Sequence, residues 1–273
     1  MEAKGCTLTG LRYGGLSPVD VPGLKFWLKA SNGATIFGSS GAVSFWKDLS
    51  GNENHLTPIN LSTGNPGLRA GRLIQTVNGV GYVNGLTTTD LVCVNPSADN
   101  FLYNGSPSTL FLVFRTPADL TLNSPVMLRG YPLTNRSAIA TNFFRADGSS
   151  NLIQVIKYNT AGAISDARIT SAFTNGTVLP NQNVIYCVQD YGYSSGIVNP
   201  IKLLYNNVLK GQGAYSGVPD NETVANSLRV TQTIFPLYEV IAYDNTGKTQ
   251  AQIDIEYNMI VTEYITKTYP LFA

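Results

Sequence analysis

Short runs of strand-forming residues, separated by turn residues, recur along most of this chain and bind it to an all-β architecture. In the first half these runs are Lys25–Ala30, Ala42–Trp46, Gly81–Asn84, Asp90–Val94, Thr109–Thr116 and Val126–Arg129. Ala138–Arg145, Leu152–Lys157, Val184–Asp190, Ile201–Tyr205, Ser227–Thr233 and Tyr238–Tyr243 follow. Asp147-Gly148, Asn175-Gly176, Asn206-Asn207 and Asn245-Thr246-Gly247 supply turn chemistry between them, the pattern of a sandwich. One segment breaks the rhythm. Between Thr249 and Thr268, Ile253, Tyr257, Ile260 and Tyr264 step by four, three and four residues. That spacing predicts one face of an amphipathic helix, ended by Pro270.

The densest local signal is Trp46-Lys47-Asp48-Leu49-Ser50-Gly51-Asn52-Glu53-Asn54-His55. Its large aromatic suits a core, and the polar residues after it suit a tight, self-bonded loop. About twenty residues upstream lies Pro22-Gly23-Leu24-Lys25-Phe26-Trp27-Leu28-Lys29-Ala30-Ser31. This pair resembles the opening of LamG-like, concanavalin A-type lectin/glucanase domains, which run "LWLDAS" and then "W-x-D-x-SGNGNH". The end of the chain is similar to theirs too: Tyr238–Asp244 stands where they carry a "GEIIVYD" strand, and Glu263–Tyr269 where they carry "YLxxKY". The resemblance implies a two-sheet antiparallel jelly-roll sandwich with one C-terminal amphipathic helix. It spans about residues 22–271, so the domain is expected over 22–273, with 1–21 as an N-terminal arm for attachment. All-β domains of roughly this length are common. The family's Asp in "LWLDAS" is Lys29 here, which removes any site that needs an acid there.

Composition narrows the function classes. Only 13% of residues are charged, about half the usual share, and the net charge is +1 with no basic cluster. Nucleic-acid binding, which needs a basic footprint, is not expected. The longest apolar runs, such as Leu110–Phe114, are far too short for a membrane helix. No signal-peptide-like apolar segment follows Met1. Cys6, Cys93 and Cys187 form no metal or redox spacing, and the last two read as buried apolar residues, as suits assembly in a reducing cytoplasm.

Catalytic patterns fare poorly. Gln252-Ile253-Asp254-Ile255-Glu256 resembles the "E-I-D-I-E" strand of glucanases, whose outer acids are nucleophile and acid/base. Here the first acid is Gln252, and the predicted helix aims Asp254 and Glu256 about 200° apart, so a plain solvated helix surface is the expected reading. His55 is the only histidine, so a multi-histidine zinc site is not encoded, and no Ser or Cys beside it sits in a nucleophile elbow. Asp48, Ser50, Asn52 and Asn54 alternate loosely like a calcium loop, and many LamG-like domains use calcium. Gly51 is misplaced for an EF-hand and Asp48 is the one firm carboxylate, so an Asx turn is the expected reading, with bound calcium as the alternative and no other cofactor expected. Trp27, Trp46, Asp48, Asn52 and His55 are therefore assigned to structure.

Tyrosines in turn-rich contexts remain as the binding signal. Tyr191 and Tyr193 flank Gly192, and Tyr215, Tyr131 and Tyr158 lie near loops. Tyrosine beside Asn, Ser and Gly offers a stacking face and adaptable hydrogen bonds to sugars or protein partners. The resemblance and composition lead to a non-catalytic phage virion surface protein, a head decoration or a tail/fibre component, assembled in the host cytoplasm. Its expected partners are surface glycans and, through residues 1–21, other virion proteins; a homo-oligomer is compatible with this. A free carbohydrate-binding adhesin is the alternative, and a glycoside hydrolase is the weaker third.

Overall fold

The computed structural model describes residues 15–30, 36–37, 45–60, 73–77, 80–84, 89–93, 105–116, 127–129, 141–142, 145–147, 150–152, 157–158, 164–165, 179–215, 229–231 and 236–270. The described strands, in order, begin with β1 (Leu24–Lys29), β2 (Ile36–Phe37), β3 (Phe45–Trp46), β4 (Thr57–Asn60), β5 (Leu73–Val77) and β6 (Val80–Asn84). Next come β7 (Thr89–Val92), β8 (Ser108–Arg115), β9 (Met127–Arg129), β10 (Thr141–Asn142), β11 (Arg145–Asp147), β12 (Ser150–Leu152) and β13 (Lys157–Tyr158). The series closes with β14 (Ile164–Ser165), β15 (Asn183–Asp190), β16 (Ile201–Tyr205), β17 (Val208–Gly213), β18 (Arg229–Thr231) and β19 (Leu237–Asp244). Helix α1 (Gln250–Met259) follows β19 and runs on through a π-helical segment, Ile260–Ile265, to Thr268.

The protein is thus mostly antiparallel β with one C-terminal helix. Its larger sheet has eight strands in the order β17-β16-β15-β8-β19-β6-β5, with β1 also on β19. A five-stranded sheet runs β10-β9-β18-β7-β4, and three two-stranded ribbons complete the described strands. Three long strands, β8, β15 and β19, form the centre of the larger sheet and are buried on both faces. Burial on both faces is why each reads as a nearly unbroken apolar run.

The helix covers one of those faces. Ile253, Tyr257, Ile260 and Tyr264 are all buried, at the spacing read from the sequence, and the π-helical segment adds Val261 and Ile265. They pack on Phe111, Ile185, Cys187, Ile241 and Tyr243, with Phe111 and Tyr257 stacked at 5.7 Å. Helix and sheet are also joined by a polar knot. Glu239, fully buried on β19, accepts hydrogen bonds from the Trp27 indole (2.5 Å) and from the hydroxyls of Tyr264 (2.5 Å) and Tyr269 (2.7 Å). Lys29, paired with Glu239 in the strand register, donates to Tyr264 Oη at 3.0 Å. Burial raises the Glu239 carboxyl above its ordinary value, and the Lys29 charge and the three donors pull against that rise.

Residues 15–21 also lie on the sheet. Val21 belongs to the core beneath the helix, and Tyr243 donates to the Pro18 carbonyl at 3.1 Å.

Two strand expectations need correction. The described residues of Ala138–Arg145 fall into β10 and β11, in different sheets, so this run is not one strand; Leu152–Lys157 is likewise divided between β12 and β13. Strands β2, β4, β5, β14 and β17 carried no strand expectation. In β17 the apolar Val208-Leu209 gives way to Lys210-Gly211-Gln212-Gly213, and its side chains are exposed or half-buried. The turn before it creates the strand: Asn206 and Asn207 both have positive φ (48° and 63°), which folds the chain back onto β16.

Candidate functional site

The candidate site lies where three loops leave one end of the larger sheet. Ser108 begins β8 and pairs with Asp190, the last residue of β15, and with Asp244, the last residue of β19. Strand register therefore sets residues 105–107, 191–200 and 245–250 side by side, although they are far apart in sequence. Hydrogen bonds lock the row: Tyr193 N–H to Gly105 C=O (2.8 Å), Asn245 N–H to Pro107 C=O (2.8 Å) and Asn245 Nδ2 to Thr109 Oγ1 (2.8 Å). Between them opens a crevice of about 670 Å³. Its rim carries Ser106, Ser194, Ser195, Thr246, Thr249 and Gln250, and its walls include Pro107, Tyr191, Tyr193, Ile197 and Ile253.

Gly192 makes the turn between the two tyrosines. Its φ is +93°, and a Cβ there would lie 3.0 Å from the Pro107 ring. Its N–H donates to Asp190 Oδ1 at 2.8 Å, and the Tyr215 hydroxyl donates to the other oxygen of this wholly buried carboxylate. Tyr215 then meets Tyr193 edge-on at 5.5 Å, so the exposed Tyr193 ring (44% accessible) is held from behind.

Tyr191 sits differently. It is only 4% exposed, its hydroxyl donates to Asp254 Oδ1 (2.5 Å), and the Lys202 ammonium donates to that hydroxyl (2.6 Å) while lying over the ring. Burial first, then the neighbouring carboxylate, raises the hydroxyls of Tyr191 and Tyr215 above the ordinary tyrosine value. Both stay protonated, so neither is an activated phenolate. Tyr191 braces the crevice, and Tyr193 presents its exposed aromatic face.

The structure thus gathers three of the five sequence-nominated tyrosines, Tyr191, Tyr193 and Tyr215, at one place. Tyr158 lies in β13, with its backbone opposite Ile164, and Tyr131 is outside the described residues. Of the cysteines, Cys93 and Cys187 are buried thiols, Cys93 donating to Asn54 Oδ1 at 3.9 Å, and Cys6 is outside the described residues.

Asp254 and Glu256 correct a sequence expectation. They do not form a plain solvated face: Asp254 receives Tyr191 and lies 3.7 Å from Lys202, and Glu256 pairs with Lys248 at 2.5 Å. The contributions of residues 105–107 and of Lys248 went unread in the sequence, because only long-range strand register brings them here.

The Trp46–His55 loop lies on β1. Trp46 is fully buried and pairs through its backbone with Leu56. Asp48 accepts four donors: Trp27 N–H (2.8 Å), Ser50 N–H (2.9 Å), Ser50 Oγ (2.6 Å) and Asn54 N–H (3.0 Å). Those donors engage all its lone-pair positions, the geometry of an Asx turn and not of a cation cage. Asn52 Nδ2 donates to the Leu24 carbonyl (2.9 Å), and His55 Nδ1 accepts from Asp48 N–H (3.1 Å).

No protein-family model and no curated protein matches the chain. Solved structures do. Domain 4 of a GH43 extracellular arabinanase from Geobacillus stearothermophilus, determined with arabinotriose, superposes with a TM-score of 0.52 at 15% identity, covering 85% of this chain and 96% of that one. Trypanosoma rangeli sialidase, in complex with sialic acid, gives 0.50 at 12% identity over 91% of this chain. The binding domain of botulinum neurotoxin DC, in complex with SialylT, gives 0.50 at 9% identity over 91% of this chain. The chain spans 34% of the sialidase and 53% of the toxin chain. At such identities the likeness is one of fold: sheet-rich domains, among them carbohydrate-binding ones.

Proposed function

We propose that this chain is the non-catalytic glycan-recognition domain of a phage virion surface protein, built as a two-sheet LamG-like jelly roll. The observation that carries the glycan reading is the crevice at the sheet end. An accessible tyrosine face, fixed from behind by Tyr215, stands beside serine, threonine and glutamine side chains. An aromatic face stacks on the C–H face of a sugar ring while such side chains meet its hydroxyls. The sheet-rich sugar-bound neighbours are consistent with this. The non-catalytic reading is supported by the helix placement of Asp254 and Glu256, each engaged with a lysine, since a retaining hydrolase sets two carboxyls about 5 Å apart across one cleft. The virion setting rests on the resemblance of the Trp46–His55 motif and on the low charge. Many copies on one particle would turn weak single-site binding into avidity.

A glycan array with the purified protein tests this. Binding is expected, and Tyr193→Ala should weaken it at least about tenfold, the loss expected of an aromatic anchor. No binding to any glycan, with specific docking to capsids through residues 1–21, would leave decoration as the function. Release of reducing sugar from β-glucans, lost in Glu256→Gln, would overturn the non-catalytic reading.

A further inference from the structure

Among the described residues that line the crevice, Lys248 is the one charged side chain, and its ammonium is fully spent within the protein. Its Nζ donates to the Pro22 carbonyl (2.6 Å), Asn245 Oδ1 (3.1 Å) and Glu256 Oε2 (2.5 Å). An ammonium has three protons, and here three acceptors take them. Lys202, behind the Tyr191 wall, is turned to the Tyr191 hydroxyl and Asp254, and Lys25 pairs with Asp244 at 3.8 Å. The Asp190 carboxylate is buried directly behind Gly192 and Tyr215. Among the described residues, a carboxylate-bearing ligand would therefore find neutral hydroxyl and amide groups at the rim, no N–H of the Lys248 ammonium to receive it, and an acid behind the wall.

From this we infer that the crevice selects neutral sugars and rejects those carrying a carboxylate, such as uronic or sialic acids. This rests on the glycan reading above and adds its substrate class. Neutral sugar hydroxyls both donate and accept, which matches Ser194, Ser195, Thr246 and Gln250, and they need no counter-charge. The volume, about 670 Å³, lies within the range of roughly 300–1,000 Å³ typical of small-ligand sites.

Calorimetric titration with matched pairs tests the inference: lactose against sialyllactose, and galactose oligomers against galacturonic acid oligomers, at low salt. The neutral member of each pair should bind at least about tenfold tighter, the factor set by one missing charge-assisted hydrogen bond. Equal or tighter binding of the acidic member overturns the inference and leaves the glycan reading standing. Failure of both members, and of every glycan on an array, overturns both. A second variant isolates the cause. Glu256→Gln removes the anionic partner of Lys248 and should narrow the neutral-to-acidic ratio at least about threefold, with helix content by circular dichroism confirming the fold. An unchanged ratio in the folded variant would refute the role assigned to Lys248.

Discussion

Replacing Glu239 with alanine removes the acceptor shared by Trp27, Tyr264 and Tyr269 at the seam between helix and sheet. The indole of Trp27 is half-buried and can turn to water, so its loss counts least. Tyr264 and Tyr269 are 6% and 1% exposed, and their hydroxyls would be left buried without this acceptor. An orphaned buried polar group costs about 1–3 kcal/mol, and breaking a buried charged network about 3–5 kcal/mol; these overlap, so the expected loss is about 3–5 kcal/mol. Glu239→Gln keeps the shape and one acceptor oxygen, while the Tyr269 hydroxyl rotates to accept from the new amide, for a loss under about 1.5 kcal/mol. Urea unfolding followed by tryptophan fluorescence reads both, provided that the slope of stability against urea is unchanged. The pH dependence supplies a sharper test. The folded carboxyl titrates above its ordinary value of 4.5, so its stabilisation is complete below that pH and is lost as pH rises through the folded value. The stability of the natural protein relative to Glu239→Gln should therefore fall from pH 4 upward. A gain over that window would mean that Lys29 and the three donors outweigh desolvation, and would refute the reasoning, as would a loss in Glu239→Ala below about 1 kcal/mol.

Two further substitutions probe the crevice and the Asx-turn loop. Gly192→Ala places a Cβ against Pro107 at a φ of +93°, and should cost about 1–3 kcal/mol in urea unfolding while weakening glycan binding, because Tyr193 follows Gly192 directly. Full stability with unaltered binding would show that the turn does not fix Tyr193. Asp48→Ala removes the acceptor of four donors, and a loss of about 2–4 kcal/mol is expected, partly restored in Asp48→Asn; an unchanged urea midpoint in Asp48→Ala would show that the loop is not what holds β1 and Trp46 together.

The elements legible in the sequence were those whose signal is local. The helix declared itself through Ile253, Tyr257, Ile260 and Tyr264, because one covered face leaves a periodic trace, and Pro270 marked its end. The long central strands were readable because burial on both faces leaves apolar runs. Strand β17 was not, since an edge strand pairs through its backbone and its side chains can be polar or glycine. Glu239 also gave no sign of its role: one acid in an apolar strand reads as a break in pattern until Trp27, Tyr264 and Tyr269 converge on it from the two ends of the chain.

The candidate site was half legible for the same reason. Tyr191, Gly192 and Tyr193 carry a local signature of a tyrosine-bearing turn, whereas the facing groups come from residues 105–107 and 245–250, which only the register of β15, β8 and β19 brings alongside. A slip of one residue in either pairing would shift a loop by about 3.4 Å and turn its side chains to the other face of the sheet. Asp190, the last residue of β15, fixes its loop locally: the buried carboxylate accepts from Gly192 N–H and the Tyr215 hydroxyl, and displacing that turn would cost both bonds. The same acid that holds the loop in place adds negative charge behind Tyr193, so the fixing of the crevice and the preference for uncharged sugars proposed for it share a contributor.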